Sequence, residues 1–558
     1  MVFDLDGVFN GVTSTAELDL TPEQAAELEE LLKDPIWRIS NLYYIVDRDG
    51  QDILFIPNDQ QLKVLRDYYV KGYKRQVILK ARQLGMSTLI EIMILDMILW
   101  TNLFQACILA DTAENAKKLM KTKIKFAYDH VAQDLKRGAG TLTKNQSLME
   151  LENGSSVSAG TRQRSGTNQF GHISEWGKIA ATDPGRSREV KTGMLPTIPV
   201  DGGCIVESTF EGGKGGDFYG LLKRAMETRP EDMTKLDFLF QFFPWFDEPS
   251  YTLEGNYGQI DKEHEAYFQK LQDEHGIWLT KGQRLWYYKK HHELGEEIKR
   301  EFPSTPQECF EAPVEGAIYG PTISAIRAKG QIIDFEHHQD YPLCTYWDKG
   351  VEDYCSIWWI QIVGPWIYWV DHFRLYGEGA PFYVNILNNK PWNVAMNFLP
   401  HDCGARSAND ALSFKEKLEQ AGLKNIHLLP RTGSIWEGIN TLQGLLKKSF
   451  FHKTRCATDV NQLGEEIPSG VTCLESYRRK WLEKENMWHH EPIHDWSSHD
   501  SDAARTFAEA YSLGLIPSDA LIPSEYREKK PLLSGLAKSA YDNSKTGRKR
   551  YQGMKRTR

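Results

Sequence analysis

The segment VILKARQLGMSTLIEIMIL (77–95) constrains the fold of this chain more than any other part of the sequence. It begins with a short apolar run typical of a β-strand, continues through a polar turn that contains Gly85, and ends in an apolar stretch of helical character. A strand, a glycine-containing loop and a helix in this order are the local context of a phosphate-binding loop. The first turn of such a helix has backbone N–H groups without intrahelical partners, so an anion is stabilised there.

The polar side chains of this loop suit a nucleotide phosphate and its metal ion. Ser87 and Thr88 stand where a hydroxyl would bind Mg²⁺, but the lysine that usually follows the last glycine is replaced by Met86. Lys80 occupies the place of the usual first glycine, so a cation is present at the opposite end of the loop, and Arg82 supplies a second one. The alternative interpretation is an ordinary strand and helix joined by a basic turn. The predicted nucleotide contacts in this segment are Lys80, Arg82, Gln83, Gly85, Met86, Ser87 and Thr88.

The pattern Lys-x-Arg-Gln-x-Gly-x-Ser-Thr resembles the large terminase subunits of tailed double-stranded DNA bacteriophages, the motors that pump and cut the viral genome. The resemblance covers most of the chain, 37–510. It implies an α/β protein with an N-terminal P-loop ATPase domain of the ring-motor class, which has a parallel-type sheet. It also implies a linker or lid region and a C-terminal RNase H-like nuclease domain.

The composition allows two such domains in one chain. The length is 558 residues, and 41% of them are hydrophobic, which is enough for real cores. The net charge of −9 argues against a surface wrapped in nucleic acid but leaves room for a local basic channel. The eight cysteines include no CxxC pair, so a cysteine-based zinc site is not expected. With no signal-like segment and no apolar run long enough to span a bilayer, we expect a soluble intracellular protein.

The order of segments predicts five regions. They are an acidic helical extension (1–36), the ATPase domain (37–235), a lid and linker subdomain (236–340), the nuclease domain (341–515) and a basic flexible tail (516–558). Alternating short strands and helices predict a mostly parallel sheet in the ATPase domain. The segments YCSIWWIQIV and PWIYWVDHF predict an antiparallel hairpin in the nuclease domain.

Two segments outside the loop predict further parts of an ATPase site. Amides at Asn58, Gln60 and Gln61 can pair with adenine, although such a cluster is also a common helix cap. In FGHISEWGKIA, Glu175 follows an apolar strand and is predicted to orient the attacking water. The residue before it is Ser174, where an aspartate that binds Mg²⁺ through water is usual; many large terminases resemble this chain in having Ser-Glu. The alternative for Glu175 is a surface glutamate after a strand.

The coupling and arginine roles come from the same resemblance. Ser208 and Thr209, at the end of an apolar strand, resemble the coupling motif that follows the catalytic glutamate in these motors. Arg162 and Arg164 lie in a glycine-flanked loop, from which they could reach the nucleotide of a neighbouring subunit or contact DNA phosphates. Arg82 is considered as a finger that acts in cis, and the sequence leaves the choice open.

Three aspartates predict the nuclease site: Asp348 at a first strand, Asp402 after a later strand, and Asp502 in a C-terminal helix. RNase H-like nucleases gather their acids from such elements and hold two divalent ions about 3.5–4 Å apart. Carboxylates suit Mg²⁺ or Mn²⁺, although each aspartate alone could be a turn former or a cap. Asp500 could join the metal site or cap the helix. Asp353 and Asp371 are nearby acids of lower rank. The histidines His489, His490, His494 and His499 raise a zinc hypothesis, but the sequence contains no second cluster with the spacing of zinc ligands.

The resemblance implies ATP-driven translocation of double-stranded DNA into a procapsid through the portal, and metal-dependent cleavage of concatemeric DNA at initiation and termination. The implied cofactors are ATP and Mg²⁺, or Mn²⁺ at the nuclease site. The implied partners are double-stranded DNA, the portal protein, a small terminase subunit and further copies in a pentameric ring, with no membrane. The expected location is the host cytoplasm and, transiently, the portal vertex of the procapsid, not the mature virion. Alternatives are another helicase-nuclease and a portal-docking scaffold with a degenerate nucleotide site.

Overall fold

The computed structural model describes residues 21–136, 140–164, 166–312, 314–350, 354–406, 412–431, 433–482, 485 and 487–517. The chain divides into two compact units, Met1–Pro313 and Val314–Arg558. Each unit has helices packed around its own large sheet, so the predicted α/β class is confirmed. In the described part of the chain, no helix is long and apolar enough to cross a membrane. All eight cysteines are buried and free.

Strands and helices alternate through the first unit. The helices are α1 (Pro22–Leu31), α2 (Pro35–Asn41), α3 (Asp59–Tyr69), α4 (Met86–Trp100), α5 (Ala113–Leu119), α6 (Phe126–His130), α7 (Trp176–Thr182), α8 (Pro184–Glu189), α9 (Asp217–Glu227), α10 (Lys262–His275), α11 (Lys281–Leu294), α12 (Ile298–Glu301) and α13 (Pro306–Glu311). The strands are β1 (Tyr44–Val46), β2 (Asp52–Leu54), β3 (Arg75–Lys80), β4 (Gln105–Leu109), β5 (Thr141–Lys144), β6 (Leu148–Leu151), β7 (Ser156–Gly160), β8 (Phe170–Ser174), β9 (Gly203–Ser208) and β10 (Leu239–Phe243).

The large sheet of this unit has the strand order β10-β3-β9-β8-β4-β7-β6-β5. The strands from β10 to β7 are parallel, and β6 and β5 extend the sheet as antiparallel strands. Every residue of β3, β8 and β9 is buried, as expected for central strands covered on both faces. Because these three strands are parallel neighbours, the residues that follow them meet at one edge of the sheet.

Helix α4, which follows the phosphate-type loop, is buried along almost its whole length. Its sequence is apolar on all sides, which is the pattern of a helix inside a core. The one acid in its second half, Asp96, accepts hydrogen bonds from Arg38 Nε (2.8 Å) and Nη2 (2.6 Å) and from Tyr43 Oη (2.8 Å). These bonds tie α2 to α4, so the N-terminal segment supports the helix that carries the loop. Upstream, Thr21 caps α1 with a capping box.

The segment 236–340, predicted to be a lid and linker, contains the division between the two units, which falls between Pro313 and Val314. Its aromatic stretch LFQFF forms β10, an edge strand of the main sheet that pairs in parallel with β3 and places Phe243 opposite Lys80. Helices α10 to α13 follow within the first unit, and residues from 314 onward belong to the second unit. This strand provides hydrogen-bond partners for the backbone groups on the outer side of β3.

The second unit is built on a mixed sheet. Its helices are α14 (Gly320–Ala328), α15 (Ala380–Asn388), α16 (Phe414–Gln420), α17 (Ile435–Leu446), α18 (Lys453–Cys456), α19 (Gly470–Ser476) and α20 (Ser498–Ser512). Its strands are β11 (Ile332–Ile333), β12 (Leu343–Lys349), β13 (Tyr354–Val363), β14 (Trp366–Tyr376), β15 (Met396–Leu399), β16 (Ile426–Leu428), β17 (Ser449–His452), β18 (Arg479–Leu482) and β19 (Met487–Pro492).

The strand order of this sheet is β11-β17-β14-β13-β12-β15-β16. Strands β12, β13 and β14 form an antiparallel meander, which confirms the predicted hairpin of β13 and β14, and β15 joins β12 in parallel. This is the strand arrangement of an RNase H-like fold. Helix α20 lies on the sheet, where Trp358 Nε1 donates to the carbonyl of Asp500 (2.9 Å) and Thr506 Oγ1 donates to the carbonyl of Trp347 (3.1 Å).

Candidate functional sites

The loop between β3 and α4 is a tight turn. Gln83 (φ 60°) and Gly85 (φ 73°) both adopt left-handed conformations. A side chain at Gly85 would be strained, and its Cβ would lie 2.8 Å from Gln61 Nε2. Residues 86–88 form the first turn of α4, and within the described residues no side chain caps this end. Its backbone N–H groups are therefore available to an anion.

Lys80 lies at the carboxyl end of β3 between two carboxylates. Its Nζ atom is 3.3 Å from Glu175 Oε1 and 3.0 Å from Glu207 Oε2, and its side chain is 8% exposed. Burial acts to lower the pKa of Lys80, but the two carboxylates outweigh it and raise that pKa above its ordinary value. A charged ammonium is thus held at the place where the sequence predicted the relocated cation.

Glu207 is a fully buried residue of β9 that the sequence reasoning missed. Its carboxylate accepts hydrogen bonds from Ser87 Oγ and Ser174 Oγ, each at 2.8 Å. The motif reasoning selected Ser208 and Thr209 in the same strand segment and passed over the acid beside them. The available signal was an acid inside the otherwise apolar strand GCIVES, because a carboxylate is almost never fully buried unless it is paired.

A buried histidine and a second acid lie behind Glu207. His172 Nε2 is 3.5 Å from Glu207 Oε1, and His172 Nδ1 is 2.8 Å from Glu91 Oε1. Burial acts to lower the pKa of His172, but the two carboxylates raise it to about 9. Burial acts to raise the pKa of Glu207, but Lys80, His172 and Ser174 lower it to about 2. The result is a buried chain of alternating charges that runs from Lys80 to α4.

Glu175 directly follows β8 and has a left-handed backbone, with φ 58°. Its Oε2 atom accepts hydrogen bonds from Ser208 Oγ (3.2 Å) and from the backbone N–H of Thr209 (3.3 Å). A non-glycine residue in this conformation costs free energy, and such strain concentrates at functional sites. The structure therefore brings the glutamate predicted to orient water into contact with Lys80 and with both predicted coupling residues.

The three candidate arginines are exposed and paired with glutamates. Arg82 forms an ion pair with Glu301, and 54% of its side chain is exposed. Arg162 and Arg164 both form ion pairs with Glu189, and about two thirds of each side chain is exposed. All three guanidinium groups are therefore accessible to a phosphate or to another chain.

The amides predicted to contact adenine have local structural roles. Asn58 caps α3 and forms a capping box with Gln61, so the helix-cap alternative describes Asn58. Gln61 Nε2 also donates to the carbonyl of Gly85 (3.0 Å), which ties α3 to the loop. Gln60 is buried in the same helix.

The three aspartates predicted for the nuclease site lie on the expected elements. Asp348 is in β12, Asp402 is exposed in the turn after the adjacent parallel strand β15, and Asp502 is in α20. His499 Nδ1 lies 2.7 Å from Asp348 Oδ2, and Arg505 Nη2 lies 3.0 Å from Asp502 Oδ1. Burial raises the pKa of Asp348 to about 6, which His499 opposes and the charges of Asp502 and Asp402 reinforce. The three acids therefore interact electrostatically.

The carboxylates of the trio fit hard divalent ions by their chemistry, since Mg²⁺ and Mn²⁺ prefer oxygen ligands. Their distances are not those of a preformed centre: among the described residues, no group of three or more His, Cys, Asp or Glu side chains could hold a metal ion as placed. The four histidines considered for zinc fall under the same finding for the described residues.

Asp500 forms a buried ion pair with Arg374 in the second unit. Its carboxylate contacts Arg374 Nη1 (2.7 Å), His372 Nε2 (2.5 Å) and Ser356 Oγ (2.9 Å), and the residue is fully buried. Burial acts to raise the pKa of Asp500, but Arg374 and His372 hold it well below its usual range. Both oxygens are occupied by strand residues, so Asp500 serves the core of the unit.

The two acids of lower rank are Asp371 and Asp353. Asp371 is buried, forms an ion pair with Lys390 and accepts a hydrogen bond from Gln462 Nε2 (3.1 Å). These partners make it part of the fold of β14. Asp353 lies outside the described residues, and so does the basic tail from residue 518 onward.

Comparisons with known proteins give the following similarities. No protein-family model matches the chain, and no curated protein matches it. The large terminase of bacteriophage HK97 is 11% identical, with 79% of this chain and 95% of that chain covered and a TM-score of 0.43. The large terminase ATPase domain of Thermus phage P74-26 is 16% identical, with 44% and 93% covered and a TM-score of 0.31. The large terminase nuclease domain of P22 is 14% identical, with 36% and 94% covered and a TM-score of 0.26. These solved structures are all large terminases of bacteriophages, or domains of them, at low sequence identity.

Proposed function

We propose that this chain is a viral DNA-packaging motor of the large terminase kind. It would hydrolyse ATP to move double-stranded DNA through the portal into a procapsid, and its second unit would cut concatemeric DNA at initiation and termination. The observation that carries the proposal is the position of Lys80, which contacts both Glu175 and the carboxylate that holds Ser87. A cation for phosphates, a hydroxyl for a metal ion and a glutamate for water therefore share one site.

In the first unit, the side chains have separable tasks. The N–H groups at the start of α4 and the ammonium of Lys80 bind the phosphates of ATP. Glu175 orients the attacking water, and its bonds from Ser208 and Thr209 fix its carboxylate and link it to the end of β9. The Ser87 hydroxyl would hold Mg²⁺, which supplies charge neutralisation at the phosphates when it is bound.

In the second unit, Asp348, Asp402 and Asp502 would hold Mg²⁺ or Mn²⁺. Such ions supply activation of water and stabilisation of the leaving oxygen in phosphodiester cleavage. His499 holds the carboxylate of Asp348 in place.

The proposal extends to partners and location. The motor would work as a pentameric ring with a portal protein and a small terminase subunit, in the host cytoplasm and transiently at the portal vertex of the procapsid. It would be absent from the mature virion. The exposed guanidinium groups of Arg162 and Arg164 support a ring, because an arginine that completes a neighbour's site must extend from its own surface.

Two substitutions in the full-length chain test the proposal. Glu175→Gln keeps the shape of the side chain and removes the charge that orients water, so ATP hydrolysis should fall by about 10²–10⁴-fold while metal-dependent DNA cleavage persists. Asp502→Asn should abolish cleavage and leave ATP hydrolysis unchanged. The matched control is Glu114→Gln, on an exposed position of α5, which should alter neither activity.

The outcomes separate the proposal from its alternatives. Loss of both activities in either folded variant would show that the two-site assignment is wrong. A wild-type chain that binds the portal but hydrolyses no ATP would be the scaffold with a degenerate nucleotide site. ATP-dependent separation of DNA strands would identify a helicase-nuclease instead.

A further inference from the structure

The nucleotide site lacks an acid at one expected position. An aspartate that binds Mg²⁺ through water is usual directly before the catalytic glutamate of such a site, and this chain has Ser174 before Glu175. A serine hydroxyl carries no charge, so it cannot offset a divalent cation. The neighbouring strand supplies the missing charge: Glu207 in β9 is the register partner of Ser174 in β8, and Ser174 Oγ donates to Glu207 Oε1 at 2.8 Å.

Glu207 also controls the hydroxyl that faces the metal position. Ser87 Oγ–H donates to Glu207 Oε1 at 2.8 Å. A serine hydroxyl has one proton and two lone pairs. When a carboxylate accepts the hydrogen bond from that proton, the lone pairs of the hydroxyl oxygen stay free to bind a cation. A group that orients a metal ligand in this way also raises the affinity of the site for the metal.

The carboxylate of Glu207 is itself fixed from two sides. Lys80 Nζ lies 3.0 Å from Oε2, and His172 Nε2 lies 3.5 Å from Oε1. His172 is held in turn by Glu91, which lies one helical turn after Ser87 in α4. Strands β3, β8 and β9 and helix α4 therefore all contribute to the orientation of one carboxylate, and that carboxylate points at Ser87.

We propose that Glu207 is the metal-positioning carboxylate of the nucleotide site, and that it performs from β9 the role that Ser174 cannot perform from β8. This inference rests on the proposed ATPase function. The donor set fits Mg²⁺, because it combines a hydroxyl oxygen with carboxylate charge. Glu175 has a different role, since its hydrogen bonds come from Ser208 and Thr209 at the end of β9.

The test measures metal binding rather than turnover. Mn²⁺ affinity is determined by electron paramagnetic resonance on the full-length chain saturated with ADP, and ADP binding is measured separately in EDTA. Glu207→Gln should weaken Mn²⁺ binding by about 10–100-fold, a larger loss than any change in metal-free ADP binding that follows from the altered contact with Lys80. Glu114→Gln, on the exposed face of α5, is the control and should bind Mn²⁺ as the wild type does.

A charge swap distinguishes a metal role from a mere counter-ion of Lys80. Ser174→Asp in the Glu207→Gln background returns a carboxylate to the neighbouring strand, and it should recover most of the lost Mn²⁺ affinity. Ser174→Asp alone should lower thermal stability, because it places two acids at a contact that is now a hydrogen bond. If Glu207→Gln does not fold, Glu207→Asp keeps the charge for Lys80 but shortens the reach to Ser87, and it should show the same loss of Mn²⁺ affinity.

The results separate this inference from the function on which it rests. Wild-type Mn²⁺ affinity in a folded Glu207→Gln or Glu207→Asp variant would overturn the metal-positioning role while leaving the ATPase proposal intact. A loss of affinity that Ser174→Asp does not recover would also overturn it, in favour of a purely structural counter-ion. Failure of the wild-type chain to bind ADP with Mn²⁺ would instead refute the proposed nucleotide site itself.

Discussion

The imidazole of His499 is hydrogen-bonded to the carboxylate of Asp348, with 2.7 Å between Nδ1 and Oδ2. His499 is in the first turn of α20 and Asp348 is near the end of β12, so the bond joins the helix to the strand at the acid cluster. Both side chains have little exposure, 6% and 19%. The hydrogen bond from His499 therefore fixes the orientation of the Asp348 carboxylate. His499 belongs to the candidate nuclease site, although this histidine was considered from the sequence only as a zinc ligand.

We expect His499→Ala to lower metal-dependent DNA cleavage by about 10–100-fold, because an unsupported carboxylate binds its metal less well. ATP hydrolysis should not change. The measurement is cleavage of linear double-stranded DNA in Mg²⁺ and in Mn²⁺, with His490→Ala as the control on an exposed histidine of β19. Equal cleavage by the His499 variant and the wild type would exclude a role for this contact.

Lys80 and Arg82 should differ in their effects. Lys80→Ala removes a buried ammonium that contacts two carboxylates, so we expect ATP hydrolysis to fall by about 10²–10³-fold and ATP binding to weaken as well. Arg82→Ala removes a half-exposed side chain, and we expect a loss of hydrolysis with ATP binding better preserved. Steady-state hydrolysis and a binding titration on both variants give the comparison. Wild-type turnover by Lys80→Ala would leave Arg82 as the cation of the loop.

Asp500→Asn should destabilise the second unit by about 3–5 kcal/mol, because it leaves the buried Arg374 without its counter-charge. The folded-state pKa of Asp500 lies below the ordinary carboxyl value of about 3.9, so its stabilising contribution is present above that pH. The contribution is lost as the pH falls toward the folded-state pKa. Denaturant unfolding followed by tryptophan fluorescence at pH 7 and at acid pH should therefore show a smaller difference between wild type and variant in acid. The control, Glu419→Gln, breaks an exposed pair and should change stability by less than about 0.5 kcal/mol.

The C-terminal tail offers a test based on the sequence. From Lys538 it contains eight Lys and Arg residues and one Asp. Truncation after Pro531 should weaken binding to DNA or to an acidic portal surface, most strongly at low salt, and should leave ATP hydrolysis intact. The measurement is binding as a function of salt for the full-length and truncated chains. Identical salt dependence would assign the tail no binding role.

The positions of the loop residues could be predicted from the sequence, because they depend only on the order of strand, loop and helix along the chain. Strand, loop and helix follow one another, so Lys80 and Ser87 fall at the two ends of one turn. Glu207 depends instead on which strands are neighbours, and nothing in a single sequence states that β9 pairs with both β3 and β8. The pairing puts a residue 120 positions from Ser87 within hydrogen-bond distance of it.

Two further details of the structure have simple physical causes. Asn58, a predicted contact of adenine, also bonds through its side chain to the backbone of its own helix, an interaction that short polar side chains favour at a helix start. Asp500 and Asp502 are two residues apart in α20, and successive helix positions turn by about 100°, so the two carboxylates face different sides. Asp500 meets the strands, whereas Asp502 contacts Arg505.

The position of strand β10 determines where the polypeptide can be truncated to isolate the first unit. It comes from residues 239–243, beyond the boundary at 235 expected from the sequence, and it covers the outer edge of β3. A fragment that ended at 235 would expose the N–H and C=O groups of that edge, and bare strand edges recruit other chains. It would also lose the bond from the N–H of Ala81 to the carbonyl of Phe243 (2.9 Å), which anchors the start of the phosphate-type loop. A soluble, nucleotide-competent fragment for crystallisation should therefore extend to residue 312.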